Sequence, residues 1–283
     1  MLITGASTGI GRASALRLAD SGWTVLAGVR DPATGEQLAA QAQDPDRLLP
    51  LILDITDPDQ VEQAAARVAE LAADGVASSA GGLDGLVNNA GIGLGGPLEL
   101  ISREDMQRQF DVNVFGQLAI TQALLPALRL AKGRIVLVSS IGGRVAMGFN
   151  GPYAASKFAL EAFGDVLRVE LASSGVKVAL LEPGSVATPI WSKARSETAA
   201  IVIPPELSEY YGRVPAAMEK VLAGTASRGI PPERVAEVID RALSAPRMRA
   251  RYVVGRDARA MLIARTLLPD LVFDRLARRV LGV

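Results

Sequence analysis

The 283-residue sequence contains no cysteine and no histidine, and aromatic residues make up only 4% of it. Without cysteine there is no disulfide framework and no thiolate nucleophile, and without histidine the commonest general base and metal ligand is missing as well. We therefore predict no metal site. Any acid–base chemistry must come from Tyr, Lys, Asp or Glu side chains.

An excess of charge of one sign is also absent, because 30 basic residues balance 30 acidic residues. No large net field would attract nucleic acid, so a small molecule is the expected partner. No apolar run reaches the roughly 18 uninterrupted residues of a membrane span, and the first residues do not have the pattern of a signal peptide. These features favour a cytoplasmic protein without membrane contact.

Short β-rich apolar runs alternate with longer helical patterns, as is typical of a parallel sheet with crossover helices. The length, together with a 49% hydrophobic content, favours one α/β domain over residues 1–283. The predicted strands are 2–4, 24–29, 48–53, 86–88, 134–139, 176–182 and 251–254. The predicted helices are 10–20, 33–42, 58–73, 103–131, 153–173 and 232–244. Right-handed crossovers then give a doubly wound sheet that binds ligands at its carboxyl edge.

Three segments do not follow this alternation. Residues 74–83 are small and glycine-rich, which predicts a surface loop. Residues 188–230 form a long insertion, and loops of that length usually bind something or are disordered. We expect the insertion to be a mobile lid over the ligand site, with the wall of an apolar pocket made by Trp191, Tyr210, Tyr211 and Met218. Residues 258–283 are expected to form a C-terminal helical extension.

A glycine-rich turn lies between the first predicted strand and the first predicted helix. Its spacing is G-x-x-x-G-x-G, and there a dinucleotide pyrophosphate would meet backbone N–H groups and the positive end of a helix. Glycine permits both the tight turn and the close approach of phosphate. The same letters can also specify a purely structural turn. The predicted cofactor contacts in this turn are Gly5, Ser7, Thr8, Gly9, Ile10 and Gly11.

Tyr153 and Lys157 are four residues apart, so on a helix they share one face. The pKa of a free tyrosine is near 10, and a nearby ammonium group lowers it. Tyr153 is therefore a candidate general acid and base. Ser140, thirteen residues earlier, can hydrogen-bond a substrate oxygen on which charge develops. Taken singly, each of these residues also fits a solvated helix face or an ordinary strand end.

The ordered set of motifs resembles the short-chain dehydrogenase/reductase family, most strongly over residues 1–190. The set consists of the glycine turn, Asn88-Asn89-Ala90-Gly91, Asn113 in a long helix, Ser140, Tyr153-x-x-x-Lys157 and Pro183-Gly184. The resemblance implies a single-domain Rossmann-like fold and an NAD(P)-dependent oxidoreductase that interconverts an alcohol and a carbonyl compound. It also implies a homodimer or homotetramer. Residues 133–182 and 204–254 look most like members acting on steroids, retinoids and other lipophilic alcohols.

The resemblance also implies a role for each matched residue. Ser140 would bind the substrate oxygen, Lys157 would hold the nicotinamide ribose, and Asn113 would support a water molecule that feeds protons to the lysine. Asp54 would contact adenine, although a helix N-cap is its alternative. Residues 182–189 would hold the carboxamide, although a Pro-Gly turn is an equal alternative. The remaining implied cofactor contacts are Ile55, Asn89, Ala90, Gly91, Tyr153, Pro183, Gly184, Val186 and Thr188.

The end of the second predicted strand bears on which dinucleotide is preferred. NAD-preferring folds place an acidic residue there for the ribose 2′-hydroxyl, whereas an arginine suits a 2′-phosphate. In this sequence Gly28 stands at the position where the acidic residue is usual. Arg30, two residues later, can reach a phosphate with its planar guanidinium group. NADP(H) is therefore favoured over NAD(H). Asp31 leaves an alternative open, since it could pair with Arg30 or serve NAD in a shifted alignment.

Two rival functions are compatible with the glycine turn. One is a redox sensor or scaffold that binds the dinucleotide without turnover, and the other is an S-adenosylmethionine methyltransferase. The second leaves the Ser140, Tyr153 and Lys157 set unexplained, and the intact Tyr–Lys pair argues against the first. The tail 258–283 mixes apolar residues with arginines. That pattern fits docking on a membrane surface or, the reading we favour, packing against protein.

Overall fold

The computed structural model describes residues 1–74, 81–199 and 201–282. Residues 75–80 of the predicted surface loop lie outside the described residues. Seven parallel strands form one sheet in the order β3-β2-β1-β4-β5-β6-β7. The order reverses between β1 and β4, which is the switch point where α/β sheets bind ligands. The strands are β1 (Leu2–Ile3), β2 (Val25–Val29), β3 (Leu48–Ile52), β4 (Gly85–Asn88), β5 (Arg134–Val138), β6 (Lys177–Pro183) and β7 (Arg251–Val254).

Helices connect the strands, and the doubly wound α/β prediction is confirmed. The helices are α1 (Gly9–Asp20), α2 (Pro32–Ala39), α3 (Pro58–Ala73), α4 (Arg103–Phe110), α5 (Gly116–Ala131), α6 (Gly151–Glu170), α7 (Ile190–Ala199), α8 (Ser208–Tyr211), α9 (Val214–Arg228), α10 (Pro232–Ser244), α11 (Arg256–Leu267) and α12 (Asp270–Leu281). The insertion 188–230 holds α7, α8 and α9, and the C-terminal extension holds α11 and α12. Proline in the first turn begins α2 and α3, where its missing N–H has no cost.

Apolar side chains fill both faces of the sheet. On β1, Ile3 belongs to a core shared with α1 and α10, whereas Leu2 belongs to a second core shared with α3, α5 and α6. Successive residues of a strand point to opposite faces, so even this two-residue strand contributes to both cores. Because both faces of the sheet are buried, the strand sequences are continuous apolar runs and do not alternate between apolar and polar residues.

The stretch Arg103–Ala131 is one continuous helix of 29 residues, long and apolar enough by composition to cross a membrane. Ile120, Leu124 and Leu128 on it are almost completely buried in the second core. This side of the helix packs under the sheet. A π-helical turn at Asp111–Phe115 interrupts it, and such turns occur frequently at functional sites.

The C-terminal extension packs only in part against the rest of the chain. Leu281 at the end of α12 is buried and lies beside Gly148. The two helices also expose large apolar residues, namely Ile263, Leu267, Leu271, Val272, Leu276 and Val280. The expectation that the tail packs against protein, either its own domain or a second subunit, stays a prediction.

Candidate active site

The glycine-rich turn packs directly on the end of β4. Gly5 has a φ of +64°, and a Cβ there would lie 2.8 Å from Ala90 Cα. A Cβ on Gly11 would collide with the Gly5 carbonyl oxygen and with the Asn89 side chain. Asn89 Nδ2 donates to the carbonyl oxygens of Thr4 and Gly5, both at 3.0 Å. Asn89 therefore holds the turn closed, and only glycine fits at these two positions.

Thr4 is a buried part of this turn that the sequence analysis did not single out. Its Oγ1 accepts hydrogen bonds from the backbone N–H of Asn89 at 2.9 Å and of Ala90 at 3.0 Å. The hydroxyl therefore ties the carboxyl end of β1 to that of β4. Its position immediately before the first glycine of the turn could have indicated this role from the sequence.

Helix α1 begins at the same turn. Its N-cap residue Thr8 makes no side-chain hydrogen bond to the helix, which leaves the first-turn N–H groups available to a phosphate. The Thr188 side chain lies against Gly9, since a Cβ on Gly9 would be 3.0 Å from Thr188 Cγ2. The turn and the 183–188 segment, far apart in sequence, are therefore neighbours at the carboxyl edge of the sheet.

The predicted catalytic residues come together from β5 and α6. Ser140 follows β5, and its Oγ accepts the Gly142 N–H at 3.0 Å. Tyr153 lies in the first turn of α6 and is 6% exposed. Gly142 fits between them, because a Cβ there would lie 3.2 Å from Tyr153 Cε1 and 3.4 Å from Ser140 Oγ. Ser140, Tyr153 and Lys157 all border one cleft.

The pKa of Tyr153 differs from the sequence-based expectation. Burial raises it, and a hydrogen bond with Ser140 opposes that effect only in part. The Lys157 Nζ lies 5.8 Å from the centre of the Tyr153 ring and donates to the Val138 carbonyl at 2.8 Å. The expected lowering of the tyrosine pKa by the ammonium is therefore not seen, because the cost of burying a phenolate is larger.

Asn113 lies in the π-helical turn and is fully buried. Its Nδ2 donates to the Ile92 carbonyl at 2.9 Å and to Ser156 Oγ at 3.0 Å, and its Oδ1 accepts the Ile92 N–H at 2.8 Å. Both amide hydrogens are used, so this side chain braces the segment after β4. It lies behind the cleft and does not line it, and its support of a water molecule stays a prediction.

The cleft has a volume of about 350 Å³ and runs from the glycine turn to Tyr153 and Lys157. Pockets of about 300–1,000 Å³ are typical of small-molecule sites. All predicted cofactor contacts except Gly11 line it. They are Gly5, Ser7, Thr8, Gly9, Ile10, Arg30, Asp54, Ile55, Asn89, Ala90, Gly91, Tyr153, Lys157, Pro183, Gly184, Val186 and Thr188. The lining is continuous across six strand ends, as an extended dinucleotide requires.

Two aspartates, Asp31 after β2 and Asp54 after β3, make different local contacts. The Asp31 carboxylate accepts from the N–H of Thr34 at 2.9 Å and caps α2, and the Thr34 hydroxyl holds the Asp31 pKa below its usual value. Asp57 caps α3, so the N-cap alternative for Asp54 is wrong. Asp54 lies 3.9 Å from Arg30 inside the cleft.

Helix α7 covers the Tyr153 end of the cleft. The Trp191 ring meets the Tyr153 ring edge-on at 6.2 Å between centroids. Of the four residues expected to wall an apolar pocket, only Trp191 lines the cleft. Met218 and Tyr211 instead belong to a small core between α7 and α9, and Tyr210 is 70% exposed.

Three charged lining residues were missed by the sequence analysis, namely Arg108, Lys193 and Glu197. Arg108 on α4 forms a two-point ion pair with Glu197 on α7, at 3.2 and 3.1 Å. The two residues are 89 positions apart, and no sequence pattern connects them. Lys193 lies in the first turn of α7. Its closeness in sequence to residues 182–189, which the resemblance matched, could have indicated it.

Comparison with known proteins agrees with this geometry. A family model described as short chain dehydrogenase matches residues 1–199. Retinol dehydrogenase 5 of Mus musculus is 37% identical, with 97% of this chain and 86% of that protein covered. An NADPH-dependent 3-dehydrocapnine reductase of Ornithobacterium rhinotracheale is 33% identical, with 97% and 94% covered.

Solved structures give the same result. A short-chain dehydrogenase from Streptomyces avermitilis superposes with a TM-score of 0.76 at 30% identity, covering 98% of this chain and 94% of that one. A short chain dehydrogenase from Burkholderia cenocepacia in complex with NADP superposes with a TM-score of 0.70 at 26% identity, covering 97% of this chain and 95% of that one. A 3-ketoacyl-(acyl-carrier-protein) reductase from Brucella melitensis complexed with NADH also has a TM-score of 0.70 at 26% identity, covering 91% of this chain and 96% of that one. The chain belongs to the short-chain dehydrogenase/reductase family and is an NAD(P)-dependent oxidoreductase acting on CH–OH groups.

Proposed function

We propose that this oxidoreductase interconverts a secondary alcohol and a ketone, or an alcohol and an aldehyde, on a small lipophilic substrate, with Tyr153 as general acid and base. The observation that carries the proposal is the meeting of Ser140, Tyr153 and Lys157 in one cleft with the glycine turn. Two separate elements, the end of β5 and the start of α6, supply these groups. A sensor or scaffold would have no need to bring them together beside the dinucleotide site.

The bound dinucleotide supplies the hydride donor or acceptor. Ser140 Oγ holds the substrate oxygen, and the Tyr153 hydroxyl exchanges a proton with that oxygen. Burial keeps Tyr153 protonated, which is the form that donates to a carbonyl oxygen during reduction. Lys157 would hold the nicotinamide ribose when the dinucleotide is bound, and its buried ammonium would stabilise the phenolate that reduction leaves on Tyr153.

The cofactor preference that we propose is NADP(H) over NAD(H). Asp31, the rival residue for an NAD ribose, is already used as the N-cap of α2. Arg30 lines the cleft with a side chain that is 73% exposed and able to reach a phosphate. One relative is NADPH-dependent and one neighbour structure holds NADP, whereas another holds NADH.

A lipophilic substrate is supported by the apolar lining near Tyr153. Ile190 and Trp191 on α7 border the cleft, and so does Ile92 after β4. The likeness to a retinol dehydrogenase is consistent with this class of substrate. We place the alcohol or carbonyl group at Ser140 and Tyr153 and the apolar body under α7.

A screen of the purified protein against alcohols and carbonyl compounds, with both oxidised and both reduced dinucleotides, tests the proposal. We expect turnover of lipophilic secondary alcohols or ketones, with higher kcat/KM for the NADP(H) pair. Nucleotide binding without turnover of any compound in the panel would favour the sensor or scaffold. Loss of nucleotide binding altogether would reject both.

A further inference from the structure

A buried cluster of charged residues lies behind the catalytic lysine. On α6, Tyr153, Lys157 and Glu161 follow one another at intervals of four residues, so they lie along one face of the helix. Glu161 is only 5% exposed. The proposed hydride and proton transfers do not use it. A buried carboxylate in that place requires a physical reason, because burial of a charge is costly unless the charge is paired.

The neighbours of Glu161 come from three further elements. The Nε atom of Arg251 on β7 lies 3.1 Å from Glu161 Oε2. The same atom lies 3.0 Å from Oε1 of Glu182, which stands at the end of β6. Arg144, after β5, donates to Glu182 Oε1 at 3.0 Å. Asp165, one turn along α6, lies 2.7 Å from Arg251. Asp165 also pairs with Arg168 at 2.8 Å, so with Lys157 the cluster contains four cations and three carboxylates.

The Glu161 side chain is also held sterically. A Cβ on Gly143 would lie 3.0 Å from Glu161 Cγ, 2.9 Å from the Lys157 carbonyl oxygen and 2.8 Å from Ser139 Oγ. The backbone at Gly143 therefore covers this part of α6 closely. Together with the Arg251 contact, this packing fixes the Glu161 side chain, which starts one helical turn after Lys157 on the same helix face.

Lys157 needs such a neighbour. Its Nζ donates to the neutral Val138 carbonyl, and burial lowers its pKa to about 8, while the Glu161 charge acts in the opposite direction. The pKa of Glu161 is itself raised by burial, with contact from Ser139 lowering it and the Glu182 charge raising it further. Arg251 opposes that rise, so the arginine helps Glu161 remain a carboxylate.

We propose that Glu161, held in place by Arg251 and Glu182, is a positioning residue that keeps the Lys157 side chain charged at neutral pH. It acts through Lys157 and does not touch the substrate. The inference rests on the proposed function for its catalytic consequence, since a neutral lysine would neither stabilise the Tyr153 phenolate nor hold the ribose as an ammonium.

The test compares the wild type with Glu161→Gln, which keeps the shape and removes the charge. Lysine labelled with ¹⁵N at Nζ reports the Lys157 titration directly by NMR, with the signal assigned from its loss in Lys157→Met. Removal of a neighbouring negative charge disfavours the ammonium, so the titration midpoint should fall by about one pH unit. The alkaline limb of kcat/KM should move to lower pH by the same amount.

Two further variants separate this role from a general effect on folding. Glu161→Asp keeps the charge and should return the midpoint most of the way to the wild-type value. Asp165→Asn removes a carboxylate from the same helix and the same arginine, but its side chain is 43% exposed, so solvent screening should leave the midpoint nearly unchanged.

An unchanged Lys157 midpoint in Glu161→Gln would overturn the proposal, and so would an equal shift in Asp165→Asn. A lower melting temperature with an unmoved midpoint would show that Glu161 only stabilises the fold. The NMR titration needs no turnover, so it answers the question even if no alcohol or carbonyl compound proves to be a substrate. That separate result would count against the proposed function alone.

Discussion

The two sides of the cleft are held together by different kinds of contact. On the cofactor side, buried polar groups such as Thr4, Asn113 and Lys157 bond to backbone atoms of the strand ends. On the substrate side, α7 and α9 share a small core around Val214, Met218 and Leu222. Surface ion pairs such as Arg108–Glu197 add to that core.

The difference has a physical consequence. Buried hydrogen bonds to the backbone have few alternative arrangements, so the cofactor side is set up before any ligand binds. Exposed ion pairs contribute little and open easily. The substrate side is therefore expected to open locally at a much smaller free energy than the sheet, which suits a lid that must admit a substrate.

The largest effect on activity is expected from removal of the proton donor on the cofactor side. Tyr153→Phe removes only the transferable proton, so kcat should fall by about 10²–10⁴-fold while the dinucleotide Kd stays nearly constant. Steady-state kinetics and nucleotide fluorescence titration measure the two quantities. Tyr210→Phe is the matched control, because Tyr210 is 70% exposed, and it should behave as wild type. Retention of more than about a tenth of kcat would contradict the acid–base role.

A smaller effect is expected at the adenosine end of the same side. Arg30→Ala should weaken NADP(H) by about 1.5 kcal/mol, the low end for a hydrogen bond to a charged group, because the guanidinium is largely exposed. NAD(H) affinity should change little. Isothermal titration with both dinucleotides measures the difference. An equal loss for both would make Arg30 a structural residue instead.

The substrate side can be loosened without touching the chemistry. Arg108→Gln removes the ion pair to Glu197 on α7, and an exposed pair of this kind is worth at most about 1 kcal/mol. We expect a KM for the carbonyl substrate raised by a few-fold, an almost unchanged kcat, and faster hydrogen exchange in Ile190–Ala199. Arg67→Gln, which breaks the Arg67–Glu70 pair on α3, should change none of these.

Hydrogen exchange also tests the lid directly. Cofactor alone should leave residues 188–230 relatively open, and saturating substrate should add protection there. If substrate adds no protection in this segment, the lid hypothesis is wrong even if the Arg108 variant behaves as expected.

The smallest effect concerns the C-terminal extension. We expect the intact protein to stay off anionic vesicles, because the favoured interpretation is that the tail packs against protein and the whole chain carries no net charge. Co-sedimentation at low salt measures this. Tight binding that disappears on deletion of 258–283 would show that the tail docks on a membrane surface.

Residues of the site that belong to short local motifs could be predicted from the sequence, whereas contacts between separate elements could not. Gly5, Tyr153 and Lys157 belong to short motifs whose spacing has a direct physical meaning, and the structure places all three on the cleft. The Arg108–Glu197 pair and the cluster around Glu161 join residues from separate elements. No local spacing reveals such contacts. The aromatic residues of 188–230 were expected to act together, but their burial depends on how α7, α8 and α9 pack.

By itself, the sequence determined the parallel sheet, its helical crossovers and the two motifs that meet at its edge, because apolar periodicity and helical spacing are local properties of the chain. Tertiary structure alone decided that burial raises the Tyr153 pKa, that Asp31 serves as a helix cap and that Glu161 lies behind Lys157. Desolvation and charge pairing depend on which elements surround a group, and long-range packing sets those surroundings.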